Sequence, residues 1–374
     1  MTVFRIDGFE TYGDGSLSNA DIESRVEDCN ETDFFEASGG FSGSKGIVTG
    51  YDGEGYSMQW PLFNTSQSEF FAYYYPDGTG RHNDYYNPTN SSSIPMACGI
   101  RIYIPDTTDD LSYSYLRILS GTNTSQSLFF IRDSDKVGFD PASGAEYISS
   151  SCLTKGQWHY VEAEWKMTSA GQGGYIKMWV DGVSVLDETS VDVSSATFYT
   201  SYGVQLGVGQ YGGASSPSDS SELTKFDDMY VMAMDNGDTA PLGPVRIKAL
   251  KPSGDDSVQW TPSTGASNSD IVSRDDLAET SQIDGASLDV DVYDLDDLTG
   301  ADSVHCVQVM AWAESAALNS IIIGLDNGTS DVDNLGFVPS AGPVARVEGH
   351  AVDPSGAAWT PSSVNSVKGR LENS

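Results

Sequence analysis

The chain has 374 residues, and 54 acids against 19 bases leave a formal net charge of −35. A field of that sign repels nucleic acid and anionic membrane, so neither is expected as a partner. Aromatic residues make up 11% of the chain and 39 glycines separate short apolar runs, which argues against disorder and predicts turn-rich β structure.

The four cysteines are Cys29, Cys98, Cys152 and Cys306. None forms a CxxC pair, so no zinc site is expected, and a Cys98–Cys152 bridge has no support beyond the count. The opening Met1-Thr-Val-Phe-Arg-Ile-Asp lacks a basic stretch followed by an apolar one, and no apolar run reaches transmembrane length. The expectation is a chain without a signal peptide or membrane insertion that is kept in cytoplasm, exported by another route or released by lysis. Its acids are scattered and read as a solvated surface suited to a salty, marine or halophilic setting.

In chain order, apolar or alternating runs predict strands at residues 46–49, 69–75, 98–104, 112–119, 128–131, 158–167, 175–180, 204–208 and 227–234. Asp52-Gly53, Asp77-Gly78 and Asp181-Gly182 suit tight turns between them. After Met234 the chain reads Asp-Asn-Gly-Asp-Thr-Ala-Pro-Leu-Gly-Pro. That run predicts a domain at 1–235, a linker at 236–244 and a C-terminal β domain at 245–374 with a short terminal helix.

In the second part, Leu288, Val290 and Val292 alternate with Asp289 and Asp291, which predicts an apolar-in, acidic-out strand with Tyr293 off its inner face. Further strands are expected at 304–313 and 320–324. Trp-Thr-Pro-Ser occurs at Trp260 and again at Trp359. The second copy opens the predicted helix, with Thr360 as cap, Pro361 in the first turn, and Val364, Val367 and Leu371 on one face.

The Trp158-His-Tyr-Val strand, the strand from Tyr175 ending in Val-Asp-Gly182, the Phe226-Asp-Asp-Met-Tyr-Val run and the opening Ile6-Asp-Gly-Phe-Glu together resemble the laminin-G/concanavalin-like family over residues 2–234. The resemblance implies an all-β fold: a concanavalin-like jelly-roll sandwich followed by a smaller β-sandwich-type domain. Gly243-Pro-Val-Arg-Ile, Gln259-Trp-Thr-Pro, the strand from Val304 to Trp312 and the segment from Gly356 to Asn365 resemble a companion domain of tailed-phage virion proteins. That resemblance implies a non-enzymatic structural component of a tailed virus particle: a surface, neck or tail-associated appendage. Its implied partners are other virion proteins, copies of itself (a trimer, for example) and host surface glycan. The alternatives are a stand-alone carbohydrate-binding module and a glycoside hydrolase.

Aromatic faces stack on sugar rings, so Tyr73, Tyr75, Asn83, Tyr85, Tyr86 and Tyr211 are the candidate glycan contacts. Asp106, Asp109, Asp110, Asp227 and Asp228 offer loop carboxylates of the kind that hold Ca2+, the one cofactor considered. Glu162 and Glu164 stand two apart, as paired glycosidase acids do, but Trp165-Lys166-Met167 follows where a third acid would be. They are read as a solvated strand edge, with no catalytic residue assigned. His82, His159, His305 and His350 are too dispersed for a triad or metal site.

Overall fold

The computed structural model describes residues 2–9, 35–37, 46–62, 68–74, 95–107, 110–119, 126–141, 145–166, 173–191, 203–210, 222–234, 239–273, 282–313, 320–329, 331–333 and 344–374. The chain divides into two units whose boundary falls between Ile247 and Lys248.

The first unit is built from β1 (Thr2–Asp7), β2 (Phe35–Ala37), β3 (Gly46–Thr49), β4 (Tyr56–Pro61), β5 (Ser68–Tyr74), β6 (Met96–Tyr103), β7 (Tyr113–Leu119), β8 (Gln126–Arg132), β9 (Lys136–Asp140), β10 (Tyr147–Ile148), β11 (Trp158–Lys166), β12 (Tyr175–Val180), β13 (Val183–Thr189), β14 (Gly203–Gln210) and β15 (Leu223–Ala233). One sheet has the order β13-β12-β11-β6-β15-β4-β3, with β1 also paired to β15. The other has the order β10-β9-β8-β7-β14-β5-β2.

The two sheets form a sandwich because each strand turns one apolar face inward. Ile100, Ile102, Val161, Ala163 and Met178 of the first sheet are buried, as are Leu116, Ile118, Phe139, Val204 and Leu206 of the second. Phe129 on β8 meets Trp165 on β11 with ring centroids 5.4 Å apart. Tyr113 Oη and Thr224 Oγ1 bridge the layers at 3.3 Å. Each fully buried large side chain contributes about 1.5–3 kcal/mol. Cys98 and Cys152 are both free thiols.

The first sheet is also covered on its outer face. There Ala97, Tyr160, Tyr230 and Met232 form a buried cluster with Ala240, Leu242 and Val245 packed on it. The described end of the expected linker therefore lies on the sheet instead of hanging free. Buried carboxylates hold it: Leu242 N and Gly243 N donate to Glu162 Oε1 at 2.9 and 3.1 Å, and Ile247 N donates to Asp228 Oδ1 at 2.8 Å.

The second unit contains β16 (Pro252–Ser257), β17 (Thr261–Pro262), α1 (Asn268–Val272), β18 (Ile283–Asp284), β19 (Val290–Leu295), β20 (Val307–Ala313), β21 (Ile321–Asp326), β22 (Asp331–Asp333), β23 (Val344–His350), α2 (Pro361–Val364) and β24 (Lys368–Asn373). Its main sheet has the order β16-β19-β24-β21-β22. The expected faces of β19 are inverted. Asp291 is 0% exposed and Tyr293 is 2% exposed, whereas Leu288 is 72% exposed. Asp291 faces inward because it is a hydrogen-bond hub, accepting from Gln259 N, Trp260 N, Asn268 Nδ2 and Tyr293 Oη at 2.6 to 2.9 Å. Fully satisfied in this way, a buried carboxylate can organise an interior.

The second Trp-Thr-Pro-Ser does start a helix. Thr360 caps α2 in a reciprocal capping box with Ser363. The helix is one turn long, so Val364 and Val367 join Leu325 and Trp359 in the core while Leu371 belongs to β24.

Candidate active site

The central strands of the second sheet carry the most distinctive surface of the first unit. Along β14, Val204, Leu206 and Val208 are buried toward the core. Gly207 and Gly209 alternate with them and are themselves buried, and a glycine in a strand interior marks a place where a ligand or another part of the chain comes close.

Arg117 on β7 is the cross-strand partner of Gln205, which is in turn opposite Ala72 on β5. Ile118 points to the core, so alternation puts Arg117 on the same face as these glycines, where it is only 5% exposed. The register shift between Val204 and Gln205 makes Tyr73 the extra residue of β5 beside this pair. Further along that face, Phe130 lies against Gly138, where a Cβ would meet the ring at 2.3 Å. The Arg132 guanidinium stands 5.4 Å from the Phe130 centroid and binds Glu146 at 2.8 Å. Arg132 is thus paired with an acid, and Arg117 is the buried arginine beside the β14 glycines.

Residues 60–229 match a family model described as polysaccharide lyase. The match spans β5 to β14 and thus the whole surface just described. It overturns two expectations from the sequence: the virion structural component, with its tail-appendage and host-attachment roles, and the absence of enzymatic activity. It also points away from glycoside hydrolysis, since a lyase breaks the glycosidic bond by elimination and not with water. No curated protein matches the chain. Similar solved structures include an endo-β-1,4-glucuronan lyase from the fungus Trichoderma reesei, 13% identical over 59% of this chain and 93% of that one, with a TM-score of 0.37. An alginate lyase from Aplysia kurodai is 12% identical over 50% and 87%, with a TM-score of 0.36. An alginate lyase from a Chlorella virus is 12% identical over 51% and 89%, also with a TM-score of 0.36. Likenesses this distant carry no argument about activity.

Of the sugar contacts expected from sequence, Tyr73 has its backbone on β5. Tyr75, Asn83, Tyr85, Tyr86 and Tyr211 lie outside the described residues. Of the expected calcium ligands, Asp109 also lies outside them. Asp106 and Asp110 are exposed, and Asp110 Oδ1 receives Lys155 Nζ at 2.9 Å. Asp227 and Asp228 are buried and already engaged by the protein. Asp228 Oδ2 pairs with Arg101 Nε at 2.8 Å and Arg246 Nε at 3.1 Å, and Asp227 Oδ2 accepts Tyr51 N at 2.8 Å. Among the described residues no three His, Cys, Asp or Glu side chains gather as a metal site would require.

Glu162 and Glu164 are neither a solvated edge nor an exposed acid pair. Both are buried on β11, which is flanked by β6 and β12. Glu164 Oε1 accepts the Tyr175 hydroxyl, and Glu162 Oε1 accepts Tyr230 Oη at 2.8 Å. Burial pushes the Glu162 carboxyl above its ordinary value, partly offset by the hydrogen bonds from Tyr230, Gly243 and Leu242. His159 is tied on both ring nitrogens, with Nδ1 2.7 Å from Asp181 Oδ2 and Nε2 accepting Thr154 N at 2.9 Å. It fixes the β12–β13 turn. Sequence reasoning passed over Arg117. The signal available for it was the Gly-x-Gln-x-Gly-x-Gly alternation of β14, which is no core pattern.

Proposed function

We propose that the chain is a polysaccharide lyase that cleaves uronate-containing chains on the β5-β14-β7 face. The observation that carries this reading is the polysaccharide lyase family match over residues 60–229. The geometry supports it in a specific way. Elimination removes the proton on the carbon next to the uronate carboxylate, forms a carbon–carbon double bond and expels the neighbouring glycosidic oxygen, which takes up a proton. The carboxylate must be neutralised as negative charge flows into it, and a preorganised cation in an enclosed site does this best. Arg117 is such a cation, and its planar guanidinium matches a carboxylate. The glycines of β14 would let a sugar chain come close to the strand backbone.

The test is to incubate the full chain with alginate, glucuronan and polygalacturonate and follow the ultraviolet absorbance of the unsaturated product. Turnover of at least one polymer is expected. Arg117→Ala should lower it about 10²–10³-fold, the usual effect of removing one group that stabilises a developing negative charge. Absence of unsaturated product from every polyuronate, in a folded sample, defeats the reading.

A further inference from the structure

The outer face of the first sheet carries a second feature, separate from the covering segment and from Arg117. Trp158 on β11 stands opposite Tyr103 on β6, Tyr103 opposite Lys225 on β15, and Lys225 opposite Gln59 on β4. Directly opposed residues share a face, so the four side chains form one row. Gly46 on β3 continues it, and a Cβ there would meet nothing within 4 Å. All four side chains are half-buried. Within the described residues, the indole N–H of Trp158, the hydroxyl of Tyr103, the ammonium of Lys225 and the amide of Gln59 have no hydrogen-bond or ion-pair partner.

The aromatic end is built firmly. The Tyr103 and Trp158 rings meet edge to face at 5.6 Å, and Tyr51 meets Trp158 in the same way at 6.1 Å. Lys225 Nζ lies 5.2 Å from the Tyr103 centroid. The Arg101 guanidinium stands 4.0 Å from the Tyr51 centroid and that of Arg246 stands 5.0 Å from it. Arg246 also faces the exposed acids Asp52 and Glu54 at 4.0 and 3.7 Å, which reduces the repulsion beside the row.

We propose that this row is a non-catalytic track that binds an acidic polysaccharide strand. Neighbouring strands are about 4.8 Å apart, so four side chains reach across about 14 Å, the scale of a short run of sugar rings. Half-exposed aromatic bodies give sugars a stacking surface, and the unused polar ends face outward to their hydroxyls. In so acidic a chain, the Lys225 ammonium is a point where a polyanion is attracted instead of repelled. The choice of an acidic strand rests on the lyase reading above. The track would hold a polymer while another part of it is cleaved on the opposite sheet, raising the effective concentration of substrate.

The experiment is affinity electrophoresis of the full chain through gels containing alginate or glucuronan, in an Arg117→Ala background so that the polymer survives. Retention is expected, with Lys225→Glu and Trp158→Ala each weakening it about two- to tenfold, the range that an aromatic or charged contact supplies. Circular dichroism confirms folding. If Trp158→Ala does not fold, Lys225→Glu and Gln59→Glu carry the test. Absence of retention by either polymer, or retention unchanged in the folded row variants, overturns the track. Turnover is measured separately in the native chain. Retention that depends on the row, without turnover, removes the lyase reading and leaves the track. Turnover with row variants retained like their parent does the reverse.

Discussion

Glu162 shows what a single buried carboxylate does to this fold. Oε1 takes three hydrogen bonds, and Oε2 is buried without a partner. Around it stand Tyr230, Tyr160 and Cys98, none of which supplies positive charge, with Trp179 as cross-strand neighbour on β12 and the Arg101–Asp228 pair further along the face. Because its affinity for a proton is higher in the fold than in the unfolded chain, the folded state binds more protons through the intervening pH window. Stability therefore falls as pH rises from the ordinary glutamate value of about 4.3 through the raised value. Glu162→Gln should flatten that slope while keeping an acceptor for the three donors. Denaturant midpoints taken across the window would check it, and an unchanged slope in the variant would refute the assignment. Asp291 teaches a related lesson. Alternation assigns faces by residue type, so it fails where a buried acid is solvated by protein donors, as at Asp291 and Glu162. Those donors (Gln259, Asn268, Leu242) are distant in sequence, and nothing local announces them.

At the level of elements, the strands were largely legible and their roles less so. The runs at 46–49 and 175–180 coincide with β3 and β12, because apolar alternation and Asp-Gly turns are local signals. Phe35–Ala37 and Tyr147–Ile148 are too short for periodicity to register, and they exist because a neighbouring strand offers an edge. The Pro-Gly run after Met234 read as a linker because composition describes local stiffness, whereas its hydrogen-bond partners on β11 and β15 belong to tertiary structure. On β14 the inner residues were recognised and the outer glycines passed unread. If those glycines make room for a sugar chain, Gly207→Leu should place bulk where that chain would lie. It is expected to lower polymer turnover by at least about tenfold, corresponding to roughly 1.4 kcal/mol, in a variant that circular dichroism shows to be folded. Full activity in Gly207→Leu would show that the polymer lies elsewhere.

For the whole molecule, net charge has a kinetic consequence. A polyuronate approaching a body of charge −35 meets long-range repulsion, despite Arg117 at the site. The screening length is about 30 Å at 0.01 M salt and about 8 Å at 0.15 M. The second-order rate constant for polymer cleavage should therefore rise with ionic strength over that range, opposite to ordinary attractive steering. Initial rates at low substrate would reveal the sign, and a rate that falls with salt would mean that local positive charge governs the encounter.

The segment folded over the first sheet also fixes where this protein can be cut. Tyr160, Tyr230 and Met232 are dry because Leu242 and Val245 lie on them, and Arg101 finds Val245 O at 3.0 Å. A gene ending after residue 235, where composition alone places the boundary, would leave an apolar patch bare and two buried carboxylates without their amide donors. One ending after Ile247 would carry its own cover. The shorter product is expected to aggregate and the longer one to remain soluble, as size-exclusion chromatography would show. In evolutionary terms, a C-terminal partner of such a cassette must be joined downstream of Ile247, and fusions that break the chain between Met234 and Ile247 would be lost at the folding step.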